Sequence, residues 1–336
     1  MSLRPRFPHR RVVFAVLMPL LALVGCDLTS AKGNIEGFSL PVLDPRFADE
    51  QLTWAQGDVI HYGDQTLRLD AGAIMSLHPS PVGFFVEIAS APDLEGHWAL
   101  FEGTETYPLP SDISSLAVSD DGRYVGWVDF DGPKRPAGQV AEAVVLDLMT
   151  GKVVGRTSDG MGGQDGDDLG DRYEELPPIF LGFDRHYAYY RDASGAGTTR
   201  RWDLASGEVG TINDTDAMVE KTPWQGEVEE LNGFVTADGR YALDTSRTGR
   251  VKVFTIEGDK RTQLPLDFGH RWQTYGYMPS PHQLVVLTMD SLKLSFDPSQ
   301  PDETRGTITV CKLAKVTCHD VANVTGTRGV VFPAGP

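Results

Sequence analysis

Two tight turns in this chain are near copies, Asp121-Gly122-Arg123-Tyr124 and Asp238-Gly239-Arg240-Tyr241, and each lies between two apolar runs. Gly at such a turn supplies positive φ, and Asp bonds the backbone beyond it, so each copy reads as the corner of an antiparallel hairpin. A second hairpin follows each time. Leu146-Asp147 with Thr150-Gly151-Lys152 is echoed by Trp202-Asp203 with Ser206-Gly207-Glu208. Residues 114–130 with 143–157, 177–193 with 198–212, and 232–247 with 249–264 therefore each make a unit of four antiparallel strands. Looser copies flank them at 73–89 with 97–109 and at 273–289 with 306–321. A helix would need apolar residues at i, i+3 and i+4, whereas these runs alternate or are continuous. With Gly 36 and Pro 22, the chain is built for many turns and not for long helices.

Five tandem units whose first strands recur at roughly 40 to 50 residues resemble the β-propeller repeats of the WD40-like and TolB-like class, over about residues 50–332. The match is loose in its details. No unit opens with Gly-His, only one carries Trp-Asp, and Ser-Asp-Asp-Gly-Arg stands where the class has Ser-Pro-Asp-Gly-Arg. The resemblance implies an all-β fold of four-stranded antiparallel blades, closed by sharing one blade between the chain ends so that no edge is left open. Residues 51–69 offer three strands and residues 329–335 one, which completes a sixth blade. A seventh would require strands from 38–43 or from part of 211–231.

Ahead of the repeats, Arg4, Arg6, Arg10 and Arg11 precede an apolar run from Val12 to Val24, 13 residues broken only by Pro19. That run is too short to span a bilayer comfortably and has the layout of a secretion signal. Leu23-Val24-Gly25-Cys26 resembles the lipobox of bacterial lipoproteins, which implies a diacylated Cys26 at the mature N-terminus. Two acyl chains anchor a protein stably where one barely does. The expected division is a signal over 1–25, a lipid-anchored tether over 26–49 and the propeller over 50–336, on the extracytoplasmic side of a bacterial membrane. Without the leader's four arginines, 26 of the 30 basic residues face 47 acidic ones, a net charge of −21. Nucleic acid, whose binding needs phosphate neutralisation, is not an expected partner.

The remaining cysteines, Cys311 and Cys318, fall opposite each other if Lys312 pairs with Thr317 and Ala314-Lys315 makes a two-residue turn. An exported chain is oxidised, and a disulfide is the expected state.

Turns within hairpins are short throughout, while the long insertions 129–142, 158–176, 213–231 and 296–306 all fall where the chain enters a blade or joins its two hairpins. In a propeller those connections share one face. Variation gathered on one face is the mark of a binding surface in repeat proteins. Arg172 with Tyr173 suits a carboxylate or a sugar, and Trp224 and Trp272 are candidate aromatic platforms. Trp127 and Trp202, on strands, are expected in the core. Asp165, Asp167 and Gly170 match EF-hand positions, but Leu169 and Leu176 stand where oxygen ligands are required. A calcium site of another kind, from Asp165, Asp167, Asp168 and Asp171, is the minority reading; a solvated loop is the main one. No cofactor is expected. The sequence lacks a Gly-x-Ser-x-Gly elbow, a His-Glu-x-x-His pair and a phosphate loop. The expected function is a monomeric binding or scaffold module for a protein or cell-envelope component. The alternative is a propeller lyase or glycosidase using carboxylates on the long-loop face.

Overall fold

The computed structural model describes residues 40–47, 51–89, 96–110, 112–136, 138–162, 169–184, 186–194, 197–212, 233–235, 239–244, 251–258, 260–269, 271–280, 282–289 and 302–333. Six four-stranded antiparallel sheets follow one another along the chain as the blades of a propeller. Blade 1 holds β1 (Thr53–Gln56), β2 (Val59–Tyr62) and β3 (Gln65–Arg68), and blade 2 holds β4 (Ala73–Ser80), β5 (Gly83–Ala89), β6 (Gly96–Phe101) and β7 (Thr106–Pro108). Blade 3 begins with β8 (Ile113–Val118) and β9 (Tyr124–Asp129), carries a small hairpin of β10 (Lys134–Arg135) and β11 (Gly138–Gln139), and ends with β12 (Glu142–Asp147) and β13 (Lys152–Thr157). After one short helix, α1 (Leu169–Glu175), blade 4 runs through β14 (Ile179–Phe183), β15 (Tyr187–Arg191), β16 (Thr199–Asp203) and β17 (Val209–Thr211). Blade 5 is β18 (Gly233–Val235), β19 (Tyr241–Asp244), β20 (Lys252–Glu257) and β21 (Lys260–Gln263). Blade 6 is β22 (Trp272–Ser280), β23 (Gln283–Met289), β24 (Arg305–Lys312) and β25 (Thr317–Thr325).

The strands read as near-continuous apolar runs because both faces of a blade are covered. In β5, Phe84, Val86 and Ile88 pack against Ala55, Ile60 and Leu69 of blade 1, while Phe85 turns the other way toward Val125 and Trp127 of blade 3. Trp127 and Trp202 are core residues, as their strand positions predict. The repeated turns also have a structural cause. Gly122 sits at φ 66, and a Cβ there would collide with the Pro81 ring in the neighbouring blade's turn. At the second hairpin, the Asp147 carboxylate accepts hydrogen bonds from the Met149 and Thr150 amides at 2.8 and 3.1 Å and faces the Arg123 guanidinium at 3.1 Å. Asp203 repeats the arrangement with Ala205 and Ser206 at 2.8 and 3.0 Å.

The ring closes through β26 (Val330–Val331), which pairs with β1 so that Ala55 faces Val331 and Gln56 faces Val330. The C-terminal strand becomes the innermost strand of blade 1, and the N-terminus supplies the other three. Two residues before Ala55, where this short strand has run out, the Tyr277 hydroxyl takes its place. It accepts from the Thr53 amide at 2.9 Å and donates to the Thr53 carbonyl at 2.7 Å, tying blade 6 to blade 1. Burial raises the Tyr277 pKa, so the hydroxyl keeps the proton that it donates.

Cys311 and Cys318 form a disulfide across β24 and β25, at paired positions. The turn beyond them differs from the expected two-residue form. Leu313–Lys315 winds into a 3-10 turn and Val316 adopts φ 50. The reason is Leu313, which is drawn into the core between blades 5 and 6 and gives its amide to the His282 carbonyl at 2.9 Å, leaving the ladder.

A seventh blade receives nothing from residues 40–47, which carry no strand and run as a strap across the turns of blades 3, 2 and 1. Leu40 is buried beside Trp98 and Leu148. The Arg46 and Phe47 amides both reach the Pro81 carbonyl, at 2.7 and 3.0 Å, and Arg46 pairs with Glu102 at 2.8 Å. Phe47 packs edge-on against Tyr62 and Phe84. The packed chain thus includes Leu40 to Phe47, within the stretch that the sequence assigns to the tether.

Two outcomes follow for stability. Tyr277→Phe strands a buried amide and carbonyl at the seam, and the expected cost is about 2 kcal/mol by urea denaturation. His78 is buried against Trp98, and burial lowers its pKa from 6.5 to about 4. Between these values the unfolded chain binds a proton that the folded chain refuses, so stability is full above pH 6.5 and is lost as pH falls toward 4. His78→Gln is expected to flatten that part of the stability–pH curve; an unchanged slope would show that other groups set it.

Candidate functional site

Antiparallel blades place the turns between first and second and between third and fourth strands on one face, and all other connections on the opposite face. The insertions 129–142 and 158–176 join β9 to β12 and β13 to β14, so both rise on the second face, from blade 3 and its border with blade 4. They fold onto each other. Val140, Ala141, Met161 and Leu169 are all within 1% of full burial and join the core between blades 3 and 4. Tyr173 on α1 stitches the two together: its hydroxyl donates to the Met161 carbonyl at 2.7 Å and accepts from the Ala141 amide at 2.9 Å, while its ring meets Phe130 edge-on. The Tyr190 hydroxyl holds the start of the second insertion through the Asp159 carbonyl at 3.0 Å.

Beneath this platform lies a buried ion triad. Arg156 on β13 bonds Asp129, the last residue of β9, at 2.9 Å and Glu142, the first of β12, at 2.8 Å; the three side chains are 6%, 4% and 14% exposed. One guanidinium thus ties together the strand ends from which the insertions leave. Asp129 also accepts from the Asp131 amide at 3.0 Å and so fixes the first step of the loop. Asp112, at φ 63, stands at the same end of β8, and partial burial followed by the charges of Asp131 and Asp129 raises its pKa. Blade 4 repeats the device: Asp192, just beyond β15, accepts from Ser194 and Thr198 amides and pairs with Arg200 at 2.6 Å. Asp129 and Glu142 are therefore committed to Arg156 and not disposed as an acid–base pair.

The residues singled out in the sequence are distributed as follows. Arg172 and Tyr173 lie on α1 in the platform, both half-buried, with the Tyr173 hydroxyl engaged as above. Trp272 opens β22 at the same face but on blade 6, half-buried, and the structure does not bring it beside α1. Asp171 is exposed in the first turn of α1. Trp224, Asp165, Asp167, Asp168 and Cys26 lie outside the described residues. Among the described residues no group of three or more His, Cys, Asp or Glu side chains is placed to hold a metal ion. Helix α1 and the hairpin β10–β11 had only faint signals: Leu169 and Tyr173 one helical turn apart, and Val140-Ala141 as an apolar pair inside a polar stretch.

No family model matches the chain, and no curated protein matches it. Among solved structures, it is similar to a putative TolB from Agrobacterium tumefaciens, at 11% identity and TM-score 0.39 over 82% of this chain and 89% of that one. It is also similar to TolB from Acinetobacter baumannii, at 13% identity and TM-score 0.41 over 84% of this chain and 65% of the other. A chain of the nidogen/laminin complex gives 12% identity and TM-score 0.38 over 84% and 97%. The class of this chain rests on its own six sheets and their closure: it is a six-bladed β-propeller.

Arg156→Ala leaves Asp129 and Glu142 buried without a counter-charge, and the expected cost is about 3 to 5 kcal/mol. Hydrogen exchange should quicken first at the amides of residues 130–142 and 158–162, with blades 1, 2 and 6 unchanged.

Proposed function

We propose that this chain is a lipid-anchored, extracytoplasmic β-propeller that binds a protein or cell-envelope component through its long-loop face. The observation that carries the reading is the platform: two insertions from one blade share a core, a tyrosine stitch and a buried ion triad on the face where the connections are long. Rigid support beneath variable loops is how a scaffold presents a recognition surface. Its exposed rim carries both signs of charge, with Lys134, Asp131, Asp171, Glu174 and Glu175, which favours a polar macromolecular partner over an apolar small molecule.

The cysteines support the location. The Cys311–Cys318 bond suits an oxidising compartment and accounts for two of three cysteines, leaving Cys26 at the lipobox-like site for the lipid. In this reading residues 1–25 are removed as a signal and Cys26 becomes the acylated N-terminus. No described helix is long and apolar enough to cross a membrane.

A photo-crosslinking amino acid placed at Gln139 or at Glu174, on the two halves of the platform, is expected to capture the same partner in intact cells. One placed at Arg261 on the outer strand of blade 5 is expected to capture none. If neither platform position yields a product, and replacing residues 158–176 by a short turn leaves the envelope phenotype of the cells unchanged, the proposal fails.

A further inference from the structure

Residues 40–47 belong to no blade. They carry no strand, and the ring closes through β26 without them. They are held as a bound peptide is held, by side chains that drop into the seams between blades on the short-turn face. Leu40 and Leu43 pack into the core between blades 2 and 3, beside Trp98 and Leu148. Phe47 packs into the core between blades 1 and 2, where its ring, Tyr62 and Phe84 stand mutually edge-on with centroids 4.8 to 5.5 Å apart. Between the two seams Arg46 caps Glu102 at 2.8 Å; that carboxylate is 7% exposed and has no other ion-pair partner among the described residues. The only main-chain anchor to the shelf among the described residues is the Pro81 carbonyl, which accepts from both the Arg46 and Phe47 amides. Pro41, Asp44 and Pro45 face solvent, and Val42 is 70% exposed.

The shelf beneath the strap is built by the blades themselves. The Pro81 ring packs above Gly122, and Asp147 caps its own turn through the Met149 and Thr150 amides. The Glu102 amide bonds the Glu105 carbonyl at 3.0 Å, and the Thr104 hydroxyl donates to the Glu102 carboxylate. Two apolar seams with a buried carboxylate between them are therefore preformed, which lowers the cost of binding an extended chain. We infer that this shelf is an interaction site for an extended segment of a partner protein, and that residues 40–47 are its resident competitor. The partner's segment has the chemistry that the strap displays: two leucine-sized residues three positions apart, an arginine three positions further on, and an aromatic residue directly after it. Glu102 sets the selectivity, because a segment without the cation leaves a buried charge unpaired. Pro41 and Pro45 favour an extended backbone, so little order is lost on docking. A ligand joined to its site within one chain competes at an effective concentration of about 1 mM or more. The partner gains the shelf only in molecules from which the strap has lifted. Shelf and platform lie on opposite faces and can be tested apart.

The test uses the full chain with its disulfide intact and, as probe, a fluorescent peptide of the strap sequence, Leu-Pro-Val-Leu-Asp-Pro-Arg-Phe, with both termini blocked. The shelf is opened by Leu40→Ser, Leu43→Ser, Arg46→Ser and Phe47→Ser together. By fluorescence anisotropy the opened chain should bind the peptide about tenfold or more tighter than the natural chain, since the strap competes in only one of them. Arg46→Glu or Phe47→Ser made in the peptide should weaken its binding to the opened chain about tenfold. Should the fourfold variant fail to fold, Arg46→Glu alone in the protein sets a carboxylate against Glu102, and should tighten binding of the unaltered peptide about threefold. Equal binding by the natural chain and every folded variant overturns the inference, as does binding indifferent to the peptide's arginine and phenylalanine. Peptides selected from a random library on the opened chain should carry arginine followed by an aromatic residue, with a leucine-sized residue three positions before the arginine; selection of unrelated sequences overturns the partner's chemistry. The natural chain should sediment as a monomer over a roughly hundredfold range of concentration. A dimer abolished by the fourfold variant would make the occupant the strap of a second copy and would overturn the assignment to a partner protein.

Discussion

Everything else in this molecule depends on a seam of two residue pairs. A row of blades that did not close would expose the backbone of blade 1 along one edge and the flank of blade 6 along another. Pairing Ala55 with Val331 and Gln56 with Val330 removes both. The seam is short, and it is reinforced from outside the ladder. Tyr277 satisfies Thr53 where the C-terminal strand stops, and the Gln56 side-chain Nε2 donates to the Thr325 and Gly326 carbonyls at 2.6 and 3.2 Å. Trp54, Tyr277 and Phe332 then fill the space between blades 6 and 1.

Closure also separates the two faces into different roles. On the short-turn face, turns touch turns: the Pro81 ring fills the space above Gly122, and the strap runs across three blades. Around blades 2 and 3 little room is left there for variation, because Pro81 walls the turn at Gly122 and the strap walls the turn at Gly151. On the other face the connections are free to lengthen, and blade 3 lengthens both of its own. Those insertions would cost stability if they remained solvated loops with apolar side chains. They avoid that by burying Val140, Met161 and Leu169 together, and the Arg156 triad holds the strand ends from which they rise. An ion triad of this kind is a poor source of stability compared with packed apolar groups, and a good means of fixing one geometry.

Much of this architecture was legible without coordinates. Turn chemistry is local: Asp and Gly at fixed offsets close a hairpin whatever surrounds it, so the strands of blades 2 to 4 fall within a few residues of where the repeats place them. The shared blade followed from the need to hide edges, and the cysteine pairing from strand register. What was misjudged was set by distant partners. The turn after Cys311 changed because Leu313 found a core, and part of an acidic stretch became a helix because Leu169 and Tyr173 met Val140 and Ala141.

The sequence by itself determined that this chain is a ring of four-stranded blades with short turns on one side and long ones on the other, since period, turn residues and loop length are all properties of neighbouring positions. Only the tertiary structure decided that two long connections form one supported platform, that Asp129, Glu142 and Arg156 are partners, and that the N-terminal strap crosses the opposite face. Those facts join residues distant in the chain, as Arg46 and Glu102, 56 positions apart, are. Contacts of that kind arise from the packing of blade against blade, which no local pattern encodes.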